Sequence, residues 1–505
     1  MAKGWDGAGL LKVMLVIAAC LGPAPVMAQG SGTLRIATPA LPQSLVNPYR
    51  TIAPPSIYVT AAIFDTLTRF DHEGALQPWL ATDWRRDGAN AWVFNLRKNV
   101  KFSNGEPFDA AAVVAAVSFV TSPEGRVEGV YREMPFLGGV EAISEHSVRV
   151  STTTPVPLLP RVMAALPIPA PQQWKRLGVA GFAREPVGTG PFKVIARRAN
   201  ALSLAAYEGS WRKPKVAGLE FTVVPVPNSR VTGLMSGVFD IAYDLGPDDL
   251  KTLNDSGNVA VVTITNSVTG ISFFLKNPSP FSDVRVRQAA NMAVNRQAII
   301  DGLLAGTTKV PSQPATPTTL GYNPELQPYP YDPARAKALL AEAGYAKGFT
   351  FSMETSVGYA PNDSAIFQQI AQDLRAVGIR MEIVTLPVTE FLTRRGNGSL
   401  RAEAFAAEWP AWPTLDGLRA VRTHSCLREP VWYCNPSVTP LIEAALAEEN
   451  TEQAVALRRQ IMQRFRDDAP AIFLFGAPQF TGLRAGITGY REDANLVSYH
   501  DISLP

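Results

Sequence analysis

Between residues 33 and 38, Leu34 and Ile36 alternate with Arg35 and Ala37, the period-two pattern of a half-buried strand. Residues 76–102 are aromatic-rich and strand-like, and the Asp87-Gly88 pair within them is a turn signal. An Ala- and Val-rich run from Asp109 to Val120 predicts a helix with the aspartate as its cap. Proline then recurs at positions 155, 157, 160, 167, 169 and 171, which predicts an extended crossing between two bodies. Strands are expected again at 202–207 and 221–226. The second half alternates helix with strand. Asp332-Pro333 places a capping carboxylate before a proline at the first helical position, and Gly344 ends that helix. A strand at 349–353, a helix within 364–377 stopped by Gly378, and a strand at 379–386 follow. This alternation specifies an α/β body with some parallel pairing.

The chain has 505 residues, more than the ~250–300 at which a single core stops growing, and predicts about three domains. Hydrophobic residues at 46% and charged residues at 18% exclude intrinsic disorder. Lys and Arg number 47 against 44 Asp and Glu, a net charge of +3 with no long block of one sign, so nucleic acid is not an expected partner. With 4 histidines and 3 cysteines an elaborate metal centre is not expected, nor is a cofactor.

The first 28 residues read as an export leader: Lys3 and Lys12, an apolar run from Val13 to Leu21, breaking prolines, and Val26-Met27-Ala28 as the cleavage signal. Cleavage after Ala28 and a periplasmic location are expected, with lipidation of Cys20 as the alternative. No later segment approaches 18 uninterrupted apolar residues, so the mature chain is expected to be soluble. Cys426 and Cys434 are then the remaining thiols, and an oxidising compartment favours a disulfide between them over two buried thiols.

Enzyme signatures are missing. There is no G-x-S-x-G elbow, no phosphate-binding G-x-x-x-x-G-K-[ST] and no H-E-x-x-H, and Lys193 stands where a dinucleotide loop begun by Gly188-Thr189-Gly190 needs its third glycine. No enzymatic activity is expected.

A series of motifs runs along nearly the whole chain. It starts with Ala62-Ile63-Phe64-Asp65-Thr66-Leu67, Gln77-Pro78-Trp79-Leu80-Ala81, Asp83-Trp84, Phe94-Asn95-Leu96-Arg97 and Lys101-Phe102-Ser103-Asn104-Gly105-Glu106-Pro107-Phe108. Gly188-Thr189-Gly190-Pro191-Phe192, Asp283-Val284-Arg285-Val286-Arg287-Gln288-Ala289, Tyr331-Asp332-Pro333-Ala334-Arg335-Ala336 and Asp468-Ala469-Pro470-Ala471-Ile472 complete it. In this order the chain resembles the large extracytoplasmic solute-binding proteins of ABC importers, the family of dipeptide, oligopeptide and nickel binders. The resemblance implies an α/β, two-lobed periplasmic binding protein fold with hinge-linked mixed sheets and an extra inserted lobe. Mapped here, residues 31–60, 182–266 and 481–505 form the first main lobe, 61–181 the extra lobe and 267–480 the second main lobe. It also implies a monomer that captures a short peptide or small molecule and docks on an inner-membrane permease with its ATPase subunits.

The resemblance places Glu408 where peptide-binding members hold the ligand ammonium with an aspartate. Trp409 and Trp412 are expected as apolar walls or a cation-π face, Thr269 as a hydrogen-bonding residue, and Asp416 as the second candidate acid. His424 is the candidate metal contact by resemblance to the nickel branch. A pair of cysteines in the dipeptide branch matches Cys426 and Cys434 and favours peptides. An opine, a glutathione-like compound or a nickel chelate are the alternative ligands. A sensory binding protein or an exported hydrolase are the alternative roles.

Overall fold

The computed structural model describes residues 31–505 apart from Gln43, Ile52, Lys276, Asn277 and Val357, so the expected leader and Cys20 lie outside the described residues. Ten strands form one mixed sheet. From edge to edge they are Ile379–Leu386, Phe349–Ser356, Ala404–Pro410, Val259–Phe273, Ala471–Leu483, Ile241–Ala242, Ser31–Thr38, Val216–Val223, Ala201–Ala206 and Phe192–Arg197. Parallel pairing occurs in both halves: Phe349–Ser356 with Ile379–Leu386 and Ala404–Pro410, and Ser31–Thr38 with Val216–Val223 and Ile241–Ala242.

The two longest strands, Val259–Phe273 and Ala471–Leu483, run antiparallel through the centre and belong to both halves. Residues 259–264 pair with 478–483 and residues 268–272 with 471–476, with register shifts between Ile264 and Val268 and between Thr269 and Gly270. Such irregularities interrupt the ladder and bend the strands. Residues 266–270 are therefore interior to a 15-residue strand. Its last eight residues are all buried, so the period-two signal that marks a half-buried strand is absent there.

Packing follows the sheet. Phe273, Phe281, Phe351 and Ile366 anchor one core of the second half, and Trp409, Phe465 and Phe473 anchor another. Leu34, Ile36, Tyr58, Phe192, Phe221 and Tyr499 form the core of the first half. A separate antiparallel sheet, ordered Ala81–Arg86, Ala91–Leu96, Ser147–Thr152, Leu137–Ser144, covers the helix Ala110–Thr121 around Phe94, Phe102, Phe108 and Val117. The cap expected at Asp109 forms, its Oδ1 accepting from the Ala111 and Ala112 amides at 2.9 and 3.3 Å. Asp332 caps Pro333–Glu342 in the same way, through the Arg335 amide at 2.9 Å.

The proline-rich segment differs from the extended crossing that its composition predicts. Leu159–Val162 and Met163–Ala165 wind into helical turns, with Pro160 in the first turn, where a missing N–H goes unneeded. Main-chain bonds from Ile168 to Asp65 and from Ala170 to Val187 then pin the chain.

Those bonds lead to a buried hub. Asp65, 2% exposed, accepts from Trp79 Nε1 at 2.7 Å, Thr189 Oγ1 at 2.8 Å, Trp211 Nε1 at 3.0 Å and Arg212 Nη2 at 2.5 Å. Burial by itself would raise the Asp65 pKa, but the Arg212 charge and the three further hydrogen bonds outweigh it and hold the carboxyl below the ordinary aspartate value. Gly188 and Gly190 flank Thr189 because a Cβ at either would come within 2.0 and 2.6 Å of the Ile63 carbonyl group.

Candidate ligand-binding site

The antiparallel register of Ala404–Pro410 on Val259–Phe273 sets Glu408 directly opposite Thr269. Opposed residues share a face of the sheet, and Ser267, two positions from Thr269, shares it as well. Glu408 is accessible to solvent, yet protein surrounds its carboxyl closely enough that desolvation raises its pKa above the ordinary glutamate value. The Arg395 charge and a hydrogen bond from the Ser267 hydroxyl, at 3.5 Å, pull more weakly the other way. Beside them, the Tyr359 hydroxyl meets Arg395 Nη1 at 3.3 Å and the Glu408 main chain; burial, then the Glu408 charge, raise its pKa. Thr269 is 2% exposed, and its Oγ1 has no hydrogen-bond partner among the described residues. No ion pair within 4.0 Å neutralises Glu408 among the described residues.

Two more acids without ion pairs among the described residues sit in the first half. Asp244 accepts from the Tyr58 hydroxyl at 2.9 Å, and that oxygen accepts from Gln479 Nε2 at 2.9 Å. Glu492 accepts from Tyr490 and Thr263. Burial raises the pKa of both, and the Asp244 charge raises that of Glu492 further.

The other expected site residues do not join Glu408. Trp409 points to the opposite face of its strand, is 0% exposed, stacks on His424 at 3.6 Å and donates Nε1 to Ser272 Oγ at 3.2 Å. It is a packing residue, which corrects the ligand-wall expectation. His424 is enclosed too: Nδ1 donates to the Ala420 carbonyl at 3.1 Å, and Nε2 is buried without a partner among the described residues. Burial lowers its pKa to about 3, so it is a neutral core histidine with no open side for a metal. Asp416 is not a free acid either. It caps Gly417–Thr423 through the Leu418 amide and forks onto Arg458 with two 2.8 Å bonds. Trp412, half-buried, lines a cavity of about 50 Å³ beside Asp65, Arg69 and Trp79 that excludes Glu408 and Thr269. Cys426 and Cys434 are joined as a disulfide.

Residues 75–417 match the sequence profile of the bacterial extracellular solute-binding proteins, family 5 Middle. The chain belongs to this family. The nickel-binding periplasmic protein of Escherichia coli K12 is 28% identical over 454 residues, covering 84% of this chain and 85% of that protein. The dipeptide-binding protein of the same strain is 27% identical over 452 residues, covering 82% and 84%. The ABC transporter substrate-binding protein CtaP of Listeria monocytogenes shares the fold, with a TM-score of 0.83, 17% identity, and coverage of 94% and 100%. This solute-binding protein therefore has the two-lobed fold with an inserted lobe and serves solute uptake by an ABC-type importer outside the cytoplasm.

Within this family 5 protein, sequence reasoning missed Tyr359 and Arg395. Tyr359 follows the C-terminal end of the parallel strand Phe349–Ser356, where ligands of α/β sheets collect, and that placement was the available signal. Arg395 lies on the helix Val388–Asn397 and gave none.

Proposed function

We propose that the solute is an amine-bearing compound, a short peptide in the first instance, whose ammonium is held by Glu408. The carrying observation is a solvent-accessible carboxylate, desolvated by the protein around it, that has no ion-pair partner among the described residues. A poorly solvated carboxylate gains most from a ligand cation, through charge-assisted hydrogen bonds. Thr269 Oγ1 supplies an unused polar atom on the same face. The dipeptide- and nickel-binding relatives fit such a site, and the enclosed His424 favours the first kind of ligand over the second. Trp412 stands away from Glu408, packed against the first-half core.

In this reading the chain crosses between lobes at 60/61, 181/182, 266/267 and 480/481, and closure bends the long strands at the interrupted ladder. Residues 1–28 are the leader, the protein works as a periplasmic monomer without catalysis, and a permease with its ATPase subunits takes the ligand.

The test is thermal unfolding and calorimetry after bound ligand has been removed. A binding peptide at ~100 times its Kd adds about 2.7 kcal/mol of stability. Free di- to pentapeptides should stabilise the protein and N-acetylated ones should not. Glu408→Gln should weaken binding about 10- to 100-fold, the range of a hydrogen bond to a charged group. Affinity should fall as pH drops through the Glu408 pKa, at milder acidity than an ordinary glutamate shows, because protons compete with the ammonium for the carboxylate. Equal binding of free and acetylated peptides, or unchanged affinity in Glu408→Gln, would sink the assignment.

A further inference from the structure

The roomiest of three described cavities is not at Glu408. It measures about 460 Å³, against about 50 and 60 Å³ for the other two, and opens between residues 132–162 and 414–458. That volume falls in the usual range of small-molecule sites. Six arginines line it, Arg132, Arg161, Arg419, Arg422, Arg428 and Arg458, against three carboxylates. Two of the three are already consumed. Arg419 forks Glu133 at 2.8 and 2.6 Å, tying the inserted segment to the second half, and Arg458 forks Asp416.

The remaining arginines form no ion pair among the described residues. Arg161 donates Nε and Nη2 to the Thr414 and Leu415 carbonyls at 3.1 Å each and lies 4.6 Å from the Phe70 ring. Its Nη1 has no partner among the described residues. Arg428 stacks on Trp432 at 3.6 Å and reaches only main-chain carbonyls. Arg132 and Arg422 are exposed and make no side-chain hydrogen bond or ion pair among the described residues. Glu429 is the one lining carboxylate left to offset these four.

We propose that this cavity is a second binding site, for a small anion carrying two or more carboxylate or phosphate groups. Planar guanidinium forks match the oxygens of both groups and hold them in pairs. The donors come from both sides, Arg132 and Arg161 from the inserted segment and Arg422 and Arg428 from the second half. Their mutual repulsion opposes closure when the cavity is empty, and a bridging anion removes it. The anion thereby strengthens the contact between the inserted segment and the second half that Arg419–Glu133 and the Arg86–Glu449 pair, at 2.8 Å, already make.

Titration of the purified protein with citrate and, separately, inorganic pyrophosphate, at fixed ionic strength, tests this by calorimetry. Acetate and sodium chloride are the controls, and comparing the two probes tells a carboxylate ligand from a phosphate one. The expected result is saturable binding of at least one probe. Arg132→Gln and Arg422→Gln should each weaken it about tenfold while leaving unfolding without probe and binding of free-amine peptides unchanged. Indistinguishable heats from acetate and from either probe, or an unchanged Kd in both variants, overturns the proposal. The peptide assignment at Glu408 is read by other ligands and another variant, so either can fail alone.

Discussion

Replacing Asp65 by alanine is expected to destabilise the protein by about 3–5 kcal/mol, the cost of removing one partner of a buried ion pair. Arg212 would keep its charge at 6% exposure with its carboxylate gone. Trp79 and Trp211 would lose the acceptor of their indole N–H groups, and Thr189 that of its hydroxyl. Each stranded donor adds to the cost, because desolvation is not recovered. The hub ties residues 65 and 79 to 189 and 211–212, so the weakness should appear where the inserted segment meets the first half. Urea unfolding followed by tryptophan fluorescence reads this directly, since two of the donors are indoles. The double variant Asp65→Ala with Arg212→Met should recover part of the loss by removing the unpaired charge. A loss below about 1 kcal/mol, the scale of one ordinary neutral hydrogen bond, would contradict the view of Asp65 as a charge-compensating hub.

The second large effect is a dependence of stability on pH set by His424. Its folded pKa is lowered to about 3, first by burial and further by the nearby Arg428 and Arg395 charges, although the Ala420 carbonyl opposes the shift. In the unfolded chain the same imidazole titrates near ~6.5. Below that value the unfolded state binds a proton that the folded state refuses, so stability is complete above it and falls as pH drops toward the folded pKa. The slope from this one residue is about 1.4 kcal/mol per pH unit. The geometry explains the refusal: with Nδ1–H given to Ala420, a second proton would sit on Nε2, buried and without an acceptor. His424→Phe keeps an aromatic ring against Trp409 and should remove that slope. Unfolding free energies of both proteins between pH 7 and pH 4 provide the comparison. Parallel curves would show that some other group carries the acid sensitivity.

The local grammar of the chain was legible in the sequence. Asp109 and Asp332 cap helices because a short carboxylate reaches the free amides of the first turn wherever the helix is placed. Gly344 and Gly378 stop helices at positive φ for an equally local reason. The motifs around Asp65, Gly188 and Asp283 were enough to indicate the family, since they encode turns, caps and close approaches that build one scaffold. Glu408 was singled out as a candidate through the same resemblance, and strand alternation alone should have separated it from Trp409, because adjacent residues of a strand face opposite sides.

Long-range pairing was decided by the tertiary structure. Nothing within a few residues of Asp416 shows that Arg458 will occupy it, or that Trp409, Trp432 and His424 will close on one another. The length of Val259–Phe273 was hidden because a strand buried on both faces loses the alternation that reveals it. The arginine-lined cavity draws on segments about 250 residues or more apart, such as Arg161 and Arg419, so only the packing of one body on another could assemble it. The sequence by itself determined the elements and the family, because caps, turns and periodicities act over a few residues. The tertiary structure decided which charges remain unpaired, because burial and ion pairing belong to neighbours that the chain brings together only when folded.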